Sequence, residues 1–155
     1  DGCRTPIPWE EGEAPNGFTT GKPWLPVKPP QSALNVAAQE VDPNSTLNFY
    51  RKAIAFRKEH VELVEGDIEL FKVSEPLLAF RRASGGKSIV CLFNLSAGPI
   101  RVTVGSAEAS TLLPFSQGAT LARTRLTLEP NAFAFFEEAA GGGRLEIKFN
   151  RRARR

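Results

Sequence analysis

The sequence predicts a mainly β fold, in which a C-terminal antiparallel β-sandwich follows an irregular segment and one helix. Three observations carry this prediction. Short apolar runs separated by turn residues fill residues 64–138, an amphipathic helix is expected within 42–63, and residues 1–41 hold more than half of the chain's 12 prolines. With 155 residues, of which 41% are hydrophobic and 24% charged, the chain has enough apolar material for an ordinary globular core.

The N-terminal segment, residues 1–41, is expected to be irregular and extended. Its prolines fix φ and remove backbone donors, and no apolar periodicity is sustained along it. Long irregular segments inside compact proteins are usually functional or disordered. Trp9 and Trp24 favour an ordered segment packed on a larger body, because each indole would bury a substantial apolar area.

One helix is expected over residues 43–60. Asp42 is placed to cap it, and Pro43 suits the first helical position, where a missing N–H costs nothing. Apolar residues fill half of the helical wheel, so the apolar face is wider than a surface helix needs. This width predicts that the helix packs against two parts of the protein at once. The last helix of a barrel and the central helix of an α+β domain both fit, and the pattern alone leaves this choice open.

Seven short strands are expected between Asp67 and Glu138. They lie at 68–73, 77–81, 88–94, 100–104, 111–113, 125–128 and 132–136. Turn residues separate them, including Gly66 and the pair Pro130 and Asn131. Residues 89–93 are continuously apolar, which predicts a central strand buried on both faces. Strands at spacings near ten residues favour an antiparallel sandwich.

The opening of the chain carries a specific motif. Five residues match the pattern R-D-x-x-R-T-P-M-x-W, with Ile7 at the position where Met is usual: Asp1, Arg4, Thr5, Pro6 and Trp9. Further matching blocks follow in the same order at 17–20, 22–27, 35–39, 42–43 with 47–52, and 57–60. Over residues 1–137 the chain thus resembles the α-glucosidases, of the oligo-1,6-glucosidase type, in the α-amylase family (glycoside hydrolase family 13).

The resemblance implies an architecture and an activity. Residues 1–41 would be a loop on the active-site side of a (β/α)8 barrel, 42–63 the last barrel helix, 64–138 the C-terminal β-sandwich domain, and 139–155 a Gly-rich linker and basic tail. The loop and helix would be left over from a truncated barrel, so the chain is expected to be a C-terminal fragment, in line with its lack of Met. The implied activity is retaining hydrolysis of α-glucosidic bonds in oligosaccharides, without a cofactor.

The residues that would catalyse this reaction are not found in the sequence. A retaining glycosidase needs a carboxylate nucleophile and a carboxylic acid about 5–5.5 Å apart. The family's motifs for these groups are absent, so no catalytic residue is assigned and the chain alone is expected to be inactive. Glu10, Glu11 and Glu13 are interpreted as solvated acids, and His60 as a helix-end cation or packing residue. No zinc, EF-hand or phosphate-loop pattern occurs, so neither a metal nor a cofactor site is predicted.

Contact with substrate is expected only from the opening motif. In the resembled enzymes, the Arg before the position of Asp1 reaches the glucose. Asp1 and Arg4 would orient that Arg or bind substrate, and a structural ion pair is the favoured role of the two. Packing is likewise favoured over sugar stacking for Trp9 and Trp24. The expected partners are the missing catalytic barrel of the same protein and an α-glucosidic oligosaccharide.

The net charge of +3 is concentrated at the C-terminus. Residues 144–155 hold six basic residues and one acidic residue, so the rest of the chain is mildly acidic. This distribution favours an appended tail and disfavours nucleic-acid binding. No apolar run is long enough for a membrane span, and Cys3 and Cys91, which lack metal spacing, are expected to be reduced.

Two alternatives to the glucosidase interpretation remain open at this point. One is a stand-alone carbohydrate-binding or interaction β-sandwich, and the other is nucleic-acid binding through the basic tail. A cytoplasmic location is expected, with a periplasmic or secreted one left open.

Overall fold

The computed structural model describes residues 2–105, 110–138 and 143–149 of the chain. It contains two compact units, Asp1–Ala55 and Phe56–Arg155, and the helix α3, Thr46–Glu59, crosses the boundary between them. The fold is mainly β, as predicted, because the strands make up most of the second unit.

The first unit contains more regular structure than its prolines suggest. A 3-10 turn, Gly2–Arg4, is followed by two short helices, α1 (Pro29–Ser32) and α2 (Val36–Val41). The expectation that residues 1–41 are irregular throughout is therefore wrong. The two prolines of α1 stand at its first positions, where no N–H is needed. Asn35 caps α2, since its Oδ1 accepts the N–H of Ala38 at 2.8 Å.

The helix α3 begins later than the expected start at Pro43. Asp42 does not cap it, because Asp42 Oδ1 accepts the N–H of Asn44 at 2.9 Å in a local turn ahead of the helix. Ser45 takes the capping role, and its hydroxyl accepts the N–H of Asn48 at 3.2 Å.

The second unit contains one further helix, α4 (Val61–Glu65), and an antiparallel sheet. Its strands in chain order are β1 (Asp67–Leu70), β2 (Leu77–Ser84), β3 (Lys87–Asn94), β4 (Ile100–Gly105), β5 (Ser110–Leu112), β6 (Gln117–Ala122), β7 (Arg125–Glu138) and β8 (Glu146–Lys148). The strand order is β1-β2-β3-β7-β4-β8, and β5 and β6 both pair with β7.

The strand β7 belongs to both layers of the sandwich. Its first part, 125–128, pairs with β4 and β6, whereas 133–138 pairs with β3 and, in part, with β5. Pro130 and Asn131, predicted as a turn between two strands, lie inside this single strand, with Asn131 at a positive φ of 56°. Asn tolerates this conformation better than most residues, so the strand can change partners here without ending.

The core confirms the sandwich and the central position of β3. Val90 and Leu92 of β3 and Val102 and Val104 of β4 belong to one buried cluster, which lies between the layers. Ile89 and Cys91 project to the opposite face of β3, where they form a second cluster. The partly buried phenylalanines of this second cluster are Phe56, Phe80, Phe93, Phe115 and Phe133.

Two strands were not predicted from the sequence. The strand β6 contains Gly118 and two alanines, which are weak strand formers, and its register shifts at Gly118. The strand β8 lies within the segment that the prediction treated as a linker and basic tail. Leu145, Ile147 and Phe149 alternate there with charged residues, which is typical of a half-buried strand.

Candidate functional site

A loop near the start of the chain is built around the buried side chain of Asn16. Asn16 Nδ2 donates to the carbonyl of Gly12 at 2.7 Å and to that of Glu10 at 3.3 Å. The carbonyl of Asn16 accepts the N–H of Trp9 at 2.8 Å. Asn16 Oδ1 accepts the hydroxyl of Ser32 at 3.0 Å. These bonds satisfy the buried amide and hold the loop against α1.

The opening motif is joined to α2 by main-chain hydrogen bonds. The first N–H groups of a helix have no partner inside the helix. In α2, the N–H of Val36 donates to the carbonyl of Pro8 at 2.9 Å, and the N–H of Ala37 donates to the carbonyl of Trp9 at 3.0 Å. The motif is therefore ordered within the first unit itself.

The side chains of Arg4 and Trp24 lie against each other. The guanidinium carbon of Arg4 is 4.8 Å from the centroid of the Trp24 ring, which is a cation–π contact. Thr5, the neighbour of Arg4, accepts a hydrogen bond from Gln31 Nε2 at 2.7 Å, so this part of the motif is tied to α1. Trp24 is 76% exposed, and most of its surface remains accessible.

This arrangement suits a ligand rich in hydroxyl groups. A guanidinium offers up to five N–H donors, and an exposed indole offers a flat apolar face. Trp9 is also 49% exposed, so the first unit buries neither indole. Asp1, the other predicted substrate residue, lies outside the described residues, and its role stays a prediction.

Comparison with known proteins finds relatives of one family. Residues 1–66 match the family model of the alpha-amylase catalytic domain. The chain is 44% identical to a probable alpha-glucosidase of Rhizobium meliloti over 96 residues, 62% of this chain and 17% of the relative. It is 36% identical to probable oligo-1,6-glucosidase 2 of Bacillus subtilis over 118 residues, 73% of this chain and 21% of the relative.

A solved structure matches both the sequence and the fold. The alpha-glucosyl transfer enzyme XgtA superposes with a TM-score of 0.81 at 36% identity, covering 89% of this chain and 26% of that chain. The chain is therefore similar to enzymes of the α-amylase family. It spans about a fifth of the length of the two curated relatives, from 17% to 21%.

The three acids of the opening segment and the single histidine have surroundings that suit structural roles. Glu10, Glu11 and Glu13 are all exposed, as solvated acids would be. His60 Nδ1 lies 2.7 Å from the carbonyl oxygen of Phe56, and the two rings are 4.3 Å apart. His60 is therefore a packing residue at the end of α3.

The two cysteines are free. Cys3 is exposed and Cys91 is buried. Burial raises the pKa of the Cys91 thiol to about 12, with only a small opposing effect from Arg82, so this thiol is a poor nucleophile.

The described residues form neither a metal-ligand cluster nor a membrane-spanning helix. Across 2–105, 110–138 and 143–149, no group of three or more His, Cys, Asp or Glu side chains is placed to hold a metal ion. None of the helices in this part of the chain has the length and apolar character that a membrane span requires.

Sequence reasoning missed the residues that support the candidate site. Asn16, Gln31 and Ser32 hold the opening motif, but only the turn tripeptide at 15–17 marked this region in the sequence. Ser32 is 16 residues away from its partner Asn16, and Gln31 is 26 residues away from its partner Thr5. A local pattern cannot specify contacts across that separation.

Proposed function

We propose that this chain is the C-terminal part of an α-glucosidase-type glycoside hydrolase that cleaves α-glucosidic bonds in oligosaccharides. The contact between Arg4 and Trp24 carries this proposal, because it presents hydrogen-bond donors and an aromatic face side by side on an ordered motif. The relatives named as a probable alpha-glucosidase and an oligo-1,6-glucosidase support the substrate class.

Each part of the chain has a distinct role in this proposal. Residues 1–41 form the loop on the active-site side of the barrel, 42–63 form the last barrel helix, and 64–138 form a β-domain that supports the barrel. The carboxylates of a retaining mechanism belong to the barrel. Arg4 then binds sugar hydroxyls or orients neighbouring groups, and Trp24 stacks on a sugar ring.

The catalytic barrel of the same protein is the proposed partner. The first unit exposes many large apolar side chains, which is typical of an interaction surface. They include Ile7, Phe18, Leu34, Val41, Tyr50 and Ile54. Contact with the barrel would remove this apolar area from water. The two free cysteines support a cytoplasmic location for the whole enzyme.

A chimeric enzyme tests the proposal. This chain replaces the matching segment, and everything after it, in the Rhizobium meliloti relative, and glucose release from maltose and isomaltose is measured. We expect an active chimera in which Arg4→Ala lowers kcat/KM about tenfold or more, because a positioned donor is lost. Arg51→Ala is the control, since Arg51 forms an exposed ion pair with Glu40.

Two results would contradict the proposal. One is a folded chimera without α-glucosidase activity, and the other is an unchanged kcat/KM in the Arg4→Ala chimera. Product analysis in the same assay separates hydrolysis from glucosyl transfer, because transfer extends an acceptor sugar instead of releasing glucose.

A further inference from the structure

A buried ion pair lies at one end of the β-sandwich. Arg81 of β2 and Glu138 at the end of β7 have side chains that are only 4% and 6% exposed. Two parallel hydrogen bonds join them, from Arg81 Nε to Glu138 Oε2 at 2.8 Å and from Arg81 Nη2 to Glu138 Oε1 at 2.7 Å. The Ser88 hydroxyl also donates to Glu138 Oε2. This geometry is the bidentate one that planar guanidinium and carboxylate groups favour.

Arg81 Nη1 donates to Glu69 Oε2 at 3.2 Å, and further hydrogen bonds of the pair are directed at the main chain of one residue. Glu138 Oε1 accepts the N–H of Leu145 at 2.6 Å, and Arg81 Nη2 donates to the carbonyl of Leu145 at 3.2 Å. The ion pair therefore binds both polar groups of a single peptide residue, as a neighbouring strand would. Removing Leu145 would take a hydrogen-bond partner from each member of a buried ion pair, and this would lower the free energy of unfolding.

The rest of the segment 143–149 is held like a strand added to a sheet edge. The strand β8 pairs antiparallel with β4, with Ile147 opposite Val104 and Lys148 opposite Thr103. Leu145 is 2% exposed in the main core, and Ile147 and Phe149 pack against the same cluster. Arg144 forms an ion pair with Glu69 of β1.

Most groups that bind this segment are remote from it in sequence, although Glu138 is only 7 residues from Leu145. Arg81 and Glu69 are 64 and 75 residues away from their partners Leu145 and Arg144. The edge of β4 is likewise built without any residue of the segment. Arg81, Glu69 and the edge of β4 thus belong to strands that pair with one another or with β7 independently of the segment.

We propose that Arg81, Glu138 and the edge of β4 form a strand-acceptor site. Its ligand class is an extended peptide with apolar residues at alternate positions, and residues 143–149 occupy the site in cis. Main-chain hydrogen bonds supply affinity and the pockets for alternate side chains supply selectivity, as in other cases of strand addition. Such a site also accepts the same peptide from solution once the covalent link to the segment is cut.

The test uses the full chain with a protease site inserted between Gly141 and Gly142. The protein is folded and then cleaved, so that the segment 143–149 is held in the site without a covalent bond to the sandwich. A fluorescent peptide with the sequence of residues 143–149, Gly-Arg-Leu-Glu-Ile-Lys-Phe, is added in excess, and its binding is followed by anisotropy. We expect uptake by the cleaved protein and none by the uncleaved protein, whose site is occupied.

Two altered peptides and one pair of protein variants report on the recognition. Replacing the leucine of the peptide with aspartate should weaken binding at least about 100-fold, because a charge would enter the core. N-methylation of that leucine should weaken it about tenfold or more, since it removes the N–H that Glu138 accepts. Gly105→Ala should weaken binding severalfold, because a Cβ there would lie 3.2 Å from Glu146 Cβ, whereas Gly98→Ala meets nothing within 4 Å and serves as the control.

The proposal is overturned by any of three results. These are no uptake of the labelled peptide by the cleaved protein, equal uptake of the leucine and aspartate peptides, and uptake by the uncleaved protein that equals uptake after cleavage. The peptide measurements need no variant of the sandwich, so a failure of Gly105→Ala to fold leaves the test intact. Because the assay involves no sugar, its outcome is independent of the glucosidase proposal.

Discussion

At the residue scale, two ion pairs of the same chemistry differ in burial. Arg51 and Glu40 have side chains that are 54% and 45% exposed. The hydrogen bond from Arg51 lowers the pKa of Glu40, but solvent screens the pair and its contribution to stability is small. Arg81 and Glu138 are buried, so neither group can be rehydrated when its partner is lost.

We therefore expect Glu138→Gln to destabilise the β-domain by about 3 kcal/mol, because it removes the buried carboxylate that pairs with Arg81 and leaves only the half-exposed Glu69 as a counter-charge. Glu40→Gln makes the same chemical change at the surface and should alter the stability little. Urea denaturation of the two variants and the wild type checks this expectation. Equal shifts in the two midpoints would show that Arg81 and Glu138 are solvated.

The same pair predicts a dependence of stability on pH. Burial by itself raises the pKa of Glu138, but the hydrogen bonds from Arg81, Ser88 and the N–H of Leu145 outweigh it and lower the pKa from 4.5 to about 2. A carboxyl whose pKa is lower in the folded state stabilises the fold above its ordinary pKa. That stability is lost as the pH falls from about 4.5 towards 2.

Melting temperatures of the wild type and of Glu138→Gln should therefore converge over this acidic window, and differ most near neutral pH. Thermal denaturation across the range measures the gap. A gap of constant size would mean that the carboxylate of Glu138 contributes no pH-dependent stability.

At the element scale, the sequence predicted strands where the apolar pattern is strong. The strand β3 is apolar at consecutive positions, and its residues Ile89 to Leu92 are buried as expected. The strand β6 has no comparable pattern and is defined by its pairing with β7. The strand β8 does alternate, but its position after three glycines and its positive charge favoured a tail. Its place in the sheet depends on Arg81 and Glu138, which no local pattern identifies as its partners.

Helix boundaries show the same limit of local patterns. Asp42 and Ser45 are both residue types that cap helices, and the sequence does not decide between them. Ser45 caps α3 and is partly held by the carbonyl of Gln39, to which its hydroxyl donates at 2.7 Å. Gln39 belongs to α2, a helix that was not predicted because several prolines precede it.

The position of β3 gives a prediction about two leucines that are close in sequence. Leu92→Ala should destabilise the β-domain by roughly 3 kcal/mol, because it leaves a cavity in the core between the layers. Leu95→Ala is the matched control, because Leu95 is 64% exposed and its loss should cost no more than about 0.5 kcal/mol. Similar denaturation midpoints for both variants would refute the assignment of Leu92 to the core.

At the scale of the whole molecule, the sequence indicated the resemblance to the family and the mainly β fold, but only some of the candidate site. Arg4 and Trp24 were each considered as contacts for a sugar. Their contact with each other was not foreseen, because it depends on how α1, α2 and the Asn16 loop fold the first unit. The predicted role of Asp1 remains untested.

The purified chain should show no glycosidase activity, because its sequence contains no motif for a retaining carboxylate pair and its opening motif alone cannot supply the barrier reduction of a glycosidase. Glucose release from maltose and sucrose measures this. Activity that disappears when any residue of this chain is mutated would refute the prediction, whereas activity unaffected by such mutations would be a contaminant.

Because Cys91 is buried, the rate at which a thiol reagent reacts with it measures how often the sheet opens. Cys3 is exposed and should react with a thiol reagent within the mixing time, whereas Cys91 lies in β3 between β2 and β7 and cannot be reached by fraying at an edge. Mass spectrometry of labelled protein should therefore show one fast and one slow addition. The slow rate reports how often the centre of the sandwich opens in native buffer. Leu92→Ala should increase this rate, and the logarithm of the increase should follow the free energy of unfolding that the substitution removes.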